Sequence, residues 1–155
     1  MIFPNSESAL NALKTIYEDK QALIDYRDKY NVLRAKIESV GSPTLSSEPH
    51  GSIPPGTDGD LITWCVDVQK LLQIKTCFYH EKLNAITDIL DNIQAPLYAR
   101  ILTYRYIKGM SWSSIANLTC YSKSHLYTLH RNALELYVNV YQADYNTKSY
   151  NYDDK

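Results

Sequence analysis

Cysteine is scarce. Cys65, Cys77 and Cys120 are the three, widely spaced and without a Cys-x-x-Cys pair. This excludes a disulfide framework and a structural zinc site built on cysteine pairs. Residues 1–10 lack the basic start and apolar stretch of a secretory signal, so reduced thiols in the cytoplasm are expected. No apolar run reaches roughly 18 residues, so no membrane-spanning helix is expected. Of five glycines, four fall within 41–59, which leaves none for a glycine-rich phosphate loop elsewhere. Strand-like alternation is absent as well. Acids are nearly absent from one region: residues 96–141 hold Glu135 alone against Arg100, Arg105, Lys108, Lys123 and Arg131, a net +4 in a chain of net −1. Such a bias points to a polyanion partner.

What is present reads as helix. A chain of 155 residues is one domain, or a small domain with an appendage. Residues 6–40 form a predicted long helix, capped by Ser6 or Ser8, with apolar residues at steps of three and four. Ile16, Leu23, Tyr30 and Ile37 lie seven apart, a heptad seam. Residues 41–59 hold four of six prolines and have no apolar period, so they read as a flexible linker. A second long helix is predicted over 60–93, in an arm extending to 95, with Asp58 or Asp60 as cap. Its stripe runs through Leu61, Cys65, Val68, Leu72, Lys75, Tyr79, Lys82, Ile86, Ile89 and Ile93. Trp64, Leu71 and Phe78 widen the apolar face, and Trp64 and Phe78 are expected in the core. That face requires a partner, either the first helix folded back antiparallel or a second subunit in a coiled-coil homodimer.

Pro96 starts a further helix that Gly109 ends. A short helix follows from Ser111 to about Leu118, burying Trp112, Ile115 and Leu118. After a turn at 119–121, a last helix runs from Ser122 to about Tyr141, burying Leu126 and Leu129. The Tyr-rich tail, 142–155, is expected to be disordered. Ala116, Cys120 and Leu126 have the small–turn–aliphatic spacing of a helix-turn-helix, with Cys120 where the turn usually prefers glycine. The fold class is therefore all-α, a long helical hairpin or coiled coil followed by a three-helix helix-turn-helix domain over 96–141.

In that arrangement the last helix reads double-stranded DNA. Ser122, Lys123, Ser124, His125, Tyr127, Thr128 and Arg131 are its candidate contacts. Lys123 and Arg131 suit phosphates, and Ser124, His125 and Thr128 suit base edges. Arg100, Arg105 and Lys108 make a candidate second strip against the DNA backbone. Solvated cations on an ordinary helix pair are the plainer alternative for the same residues.

The run from Pro96 to Leu136 resembles the C-terminal region of small phage and prophage transcription regulators of Gram-positive bacteria, the late-gene activators of the ArpU and RinA type. The matching residues are Arg105, Tyr106, Ile107 and Gly109, then Ser111, Trp112, Ile115 and Ala116, then Tyr121 and Ser122, then Leu129, His130, Arg131, Ala133 and Leu134. The same region is similar to the sigma-factor domain that reads the −35 promoter element. The resemblance implies a promoter-like DNA site, activation of phage late genes and host RNA polymerase as a partner. Two other readings stay open: an assembly or DNA-packaging protein of small-terminase type, and a polymerase-binding module that does not read DNA. No pattern points to an enzyme, cofactor or metal. Cys77 and His80 are two ligands without a second pair. His125 and His130 fall on different helix faces, and His130 reads as a packing residue rather than a base.

Overall fold

The structure is a computed structural model that describes residues 3–40 and 57–150. The described residues are all-α. Helix α1 spans Ser6–Val40, α2 Thr57–Asp91, α3 Pro96–Leu102, α4 Trp112–Thr119 and α5 Lys123–Tyr150, and α3 runs on into a π-helical turn over Thr103–Ile107. No helix among the described residues is long and apolar enough to cross a membrane. Most of the predicted linker, 41–56, lies outside the described residues.

The chain divides into two compact units. One comprises residues 1–19 and 79–155, the other residues 20–78. The predicted arm over 60–95 is divided between them, with residues 60–78 in the second unit and 79–95 in the first. The start of α1 and the end of α2 belong to the same body as α3–α5.

In that first unit, Ala9, Ala12, Leu13 and Ile16 of α1 pack with Ile86, Ile89, Leu90 and Ile93 at the end of α2, with Leu102, and with Ala133, Tyr137 and Tyr141 of α5. Burying each of the larger aliphatic side chains contributes about 1.5–3 kcal/mol. Two tyrosines carry polar tips into this core and find partners there. Tyr137 donates its hydroxyl to the Ala9 carbonyl at 3.4 Å, and Tyr141 donates to the Phe3 carbonyl at 2.7 Å. Burial pushes the Tyr137 phenol strongly upward, so it stays a donor. At the core's edge Lys82 donates to Thr15 and pairs with Asp19.

In the second unit Lys75 lies 4.9 Å from the Tyr26 ring and Arg34 lies near Cys65. Residue numbers fall on α2 as they rise on α1, so the two segments run antiparallel within one chain. Among the described residues of this unit, Leu33 and Cys65 are the ones that become buried.

Four details depart from the sequence reading. Asn5, not Ser6 or Ser8, caps α1, its Oδ1 accepting the Ser8 N–H at 2.8 Å. Helix α2 starts at Thr57, which puts Asp58 and Asp60 inside its first turn instead of at its cap. Trp64 and Phe78 are 57% and 67% exposed, because the partner segment of α1 covers the stripe through Cys65 and leaves their flank open. Helix α5 continues to Tyr150, so most of the predicted tail is helical, and no proline or glycine stands there to stop it. Residues 151–155 lie outside the description.

Gly109 ends the π-helical segment at φ +65°, and a Cβ there would overlap the ring of Tyr17. Gly109→Ala is expected to cost about 2–4 kcal/mol, combining left-handed backbone strain with overpacking. Urea unfolding followed by circular dichroism measures it. Adding Tyr17→Ala should relieve the steric share and leave the backbone share.

Candidate nucleic-acid interface

Two short helices and the start of α5 can hold one another only around a small apolar centre. Ile101, Ile115 and Leu126 provide it, all fully buried, with Leu97, Tyr104, Met110, Trp112, Ala116 and Leu129 packed around them. Ser111 caps α4 by accepting the Ser114 N–H at 3.2 Å, and Ser122 does the same for the His125 N–H at the start of α5, also at 3.2 Å. The turn between the helices closes at Cys120, which adopts the left-handed conformation with φ 58° and ψ 24°. This is the conformation for which glycine is the usual residue. Leu118 departs from expectation: it is 61% exposed, because α5 packs against Ile115 and Ala116 and leaves the flank of α4 at Leu118 open.

Leu126 faces inward, so the opposite face of α5 presents Ser124, Thr128 and Arg131, all exposed. Lys123 and Tyr127 lie on one flank of that face and His125 on the other, and all three are exposed. Ser122 is exposed too, with its side-chain oxygen occupied as the cap. No acid stands in the first turn of α5. The cationic face ends at Glu135, one turn beyond Arg131. Thr128 donates back to the Ser124 carbonyl at 3.5 Å, and the His125 ring lies 5.1 Å from that of Tyr121.

The second strip is less uniform than its charges implied. Arg100 and Lys108 are exposed, with the Lys108 ammonium 4.9 Å from the Tyr104 ring. Arg105 is half-buried. It donates to the Met110 carbonyl at 3.1 Å and stacks over Trp112 at 5.1 Å, so it ties the loop after the π turn to α4.

Behind this face lies an aromatic cluster that residue spacing alone did not reveal. Trp112 meets the rings of Tyr127 and His130, each at 5.0 Å, and Tyr106 meets His130 with its hydroxyl 3.0 Å from Nε2. Burial raises the Tyr106 phenol. Burial first, and then the charges of Arg105 and Lys14, lower the His130 imidazole. A neutral imidazole accepting from a phenol O–H satisfies both shifts, which leaves the ring proton on Nδ1. His130 is thus a packing residue that joins the π turn to α5. Among the described residues no three His, Cys, Asp or Glu side chains gather as metal ligands.

No protein-family model, no curated protein and no solved structure matches the chain.

Two outcomes follow from this geometry. Cys120→Gly is expected to stabilise the protein by up to about 1 kcal/mol, seen as a higher urea midpoint at unchanged m-value, because it removes a left-handed non-glycine residue. His130 has its folded pKa below the unfolded value, so the unfolded chain takes up the proton first as pH falls. Stability should therefore be full above about pH 6.5 and decline as pH drops below it. Thermal unfolding at a series of pH values should show this decline weakened in His130→Gln.

Proposed function

We propose that the protein is a sequence-specific DNA-binding transcription regulator of phage or prophage genes, acting as a late-gene activator together with host RNA polymerase. The observation that carries the DNA-binding half is the outward face at the start of α5. Short hydrogen-bonding side chains, Ser124 and Thr128, lie between the cations Lys123 and Arg131, with no acid in the first turn. In a helix-turn-helix this end of the second helix enters the major groove. Lys123 and Arg131 then pair with phosphates, which supply most of the affinity. Ser124, His125 and Thr128 reach base edges, and Tyr127 lies beside them. Arg100 and Lys108 approach the backbone from α3 and the turn that follows it. The phage and polymerase half rests on the resemblance of the Arg105–Gly109, Ser111–Ala116 and Leu129–Leu134 motifs to the late-gene activators.

The test is retention of fragments of the source genome by the purified protein at two salt concentrations, followed by sequencing. Enrichment of one or a few sites, weaker at higher salt, is expected. Uniform retention or none would overturn sequence-specific reading. On the enriched site, Lys123→Ala and Arg131→Ala should each lower affinity and each reduce the slope of log affinity against log salt by about one. Thr128→Ala should leave that slope unchanged and relax the preference at one base position.

A further inference from the structure

Unit 20–78 leaves apolar surface where a two-helix hairpin can least spare it. Trp64, Leu71, Ile74 and Phe78 of α2 are 57%, 40%, 54% and 67% exposed. Trp64, Leu71 and Phe78 recur every seven residues, and Ile74 sits three after Leu71, so the four form one straight seam on the helix. This seam borders the stripe through Cys65 that α1 covers, and Lys75 lies on the boundary between the two. At about 150–250 Å² for a large aromatic side chain, the four present on the order of 400 Å² of apolar surface. A standard protein interface buries roughly 800 Å² per partner, a little over half of it apolar. The seam therefore matches the apolar share of one side of a stable interface in size, and is contiguous where single exposed residues are scattered.

We propose that the occupant of this seam is the same seam of a second copy, run antiparallel about a two-fold axis at Leu71. Asp67, seven before Ile74, lies in the seam and Lys75 at its edge, and these charges select that arrangement. About such an axis Trp64 of one copy comes level with Phe78 of the other, Leu71 meets its own counterpart, and Asp67 comes level with Lys75. A parallel arrangement in the same register sets Asp67 beside Asp67 and Lys75 beside Lys75, which is repulsive at both levels. Lys75 lies over an aromatic ring within its own chain, that of Tyr26, and the ion pairs seen among the described residues, Arg34–Glu38 and Lys82–Asp19, do not involve it. Each aromatic closes over the other's helix, and the Leu71 pair seals the centre. The result is a dimer of hairpins. Its stoichiometry gives two DNA-reading faces per particle, but its formation does not depend on the DNA-binding reading.

Sedimentation equilibrium of the full chain without DNA, over about 1–100 μM, tests the proposal. The wild type should reach twice the monomer mass. Leu71→Glu should raise the dimer dissociation constant about thirtyfold or more with helix content unchanged. Asp67→Lys should weaken the dimer, and Asp67→Lys combined with Lys75→Asp should restore it, a rescue that simple destabilisation of α2 does not give. A wild type that stays monomeric throughout, a Leu71→Glu variant that dimerises as the wild type does, or a double swap that fails to recover would each overturn the antiparallel seam. Loss of DNA binding with an intact dimer would instead count against the regulator reading alone.

Discussion

The structure depends on α5 lying against the first turns of α1. The larger core closes only where Tyr137 and Tyr141 meet residues Phe3 to Ile16, and the two tyrosine hydroxyls satisfy backbone carbonyls of that N-terminal stretch. One helix thus serves two cores. Leu126 near its start fills the centre of the helix-turn-helix, and Ala133, Tyr137 and Tyr141 further along fill the centre shared with α1 and α2. Because a helix is stiff over these few turns, the angle at which α5 presents Ser124 and Arg131 is fixed by contacts well away from them.

Smaller devices maintain the same geometry. The π turn over Thr103–Ile107 sends the Lys108 N–H to the Thr103 carbonyl at 3.0 Å and lets Met110 bond back to Tyr104 at 2.9 Å. That wider winding turns Tyr106 toward His130 and Arg105 toward Trp112. Gly109 then lets the chain pass against Tyr17 of α1. The loop, α5 and α1 are joined by groups that sit behind the exposed face and leave its outer side chains open.

The sequence made the helices legible because their apolar residues recur at three and four with few interruptions. The stripe on α2 from Cys65 to Ile89 is the face that becomes buried or half-buried. The start of α5 was legible for another reason: Ala116, Cys120 and Leu126 constrain a tight crossing, and Ser111 and Ser122 stand where caps are needed. What the periods could not convey was partnership. Trp64 and Phe78 are as apolar as Ile86 and Ile89, yet of these four only the isoleucines are buried. Spacing within one helix gives a face and not the element that covers it. The same limit hid the cluster of Tyr106, Trp112, Tyr127 and His130, which is assembled from three segments, and the structural use of Arg105. The continuation of α5 was obscured by the polar residues after Asp144, which resemble a tail.

The pairing of Tyr141 with Phe3 also sets an order of events at the ribosome. Helix α1 is finished long before the helix that covers its apolar side has been made. Leu13 and Ile16 therefore stay open to water, or to chaperones, while more than a hundred later residues are added at about 5–20 per second. Because α5 is needed to close both cores, the nascent chain buries its apolar side chains and sets the exposed face of α5 in the same late step.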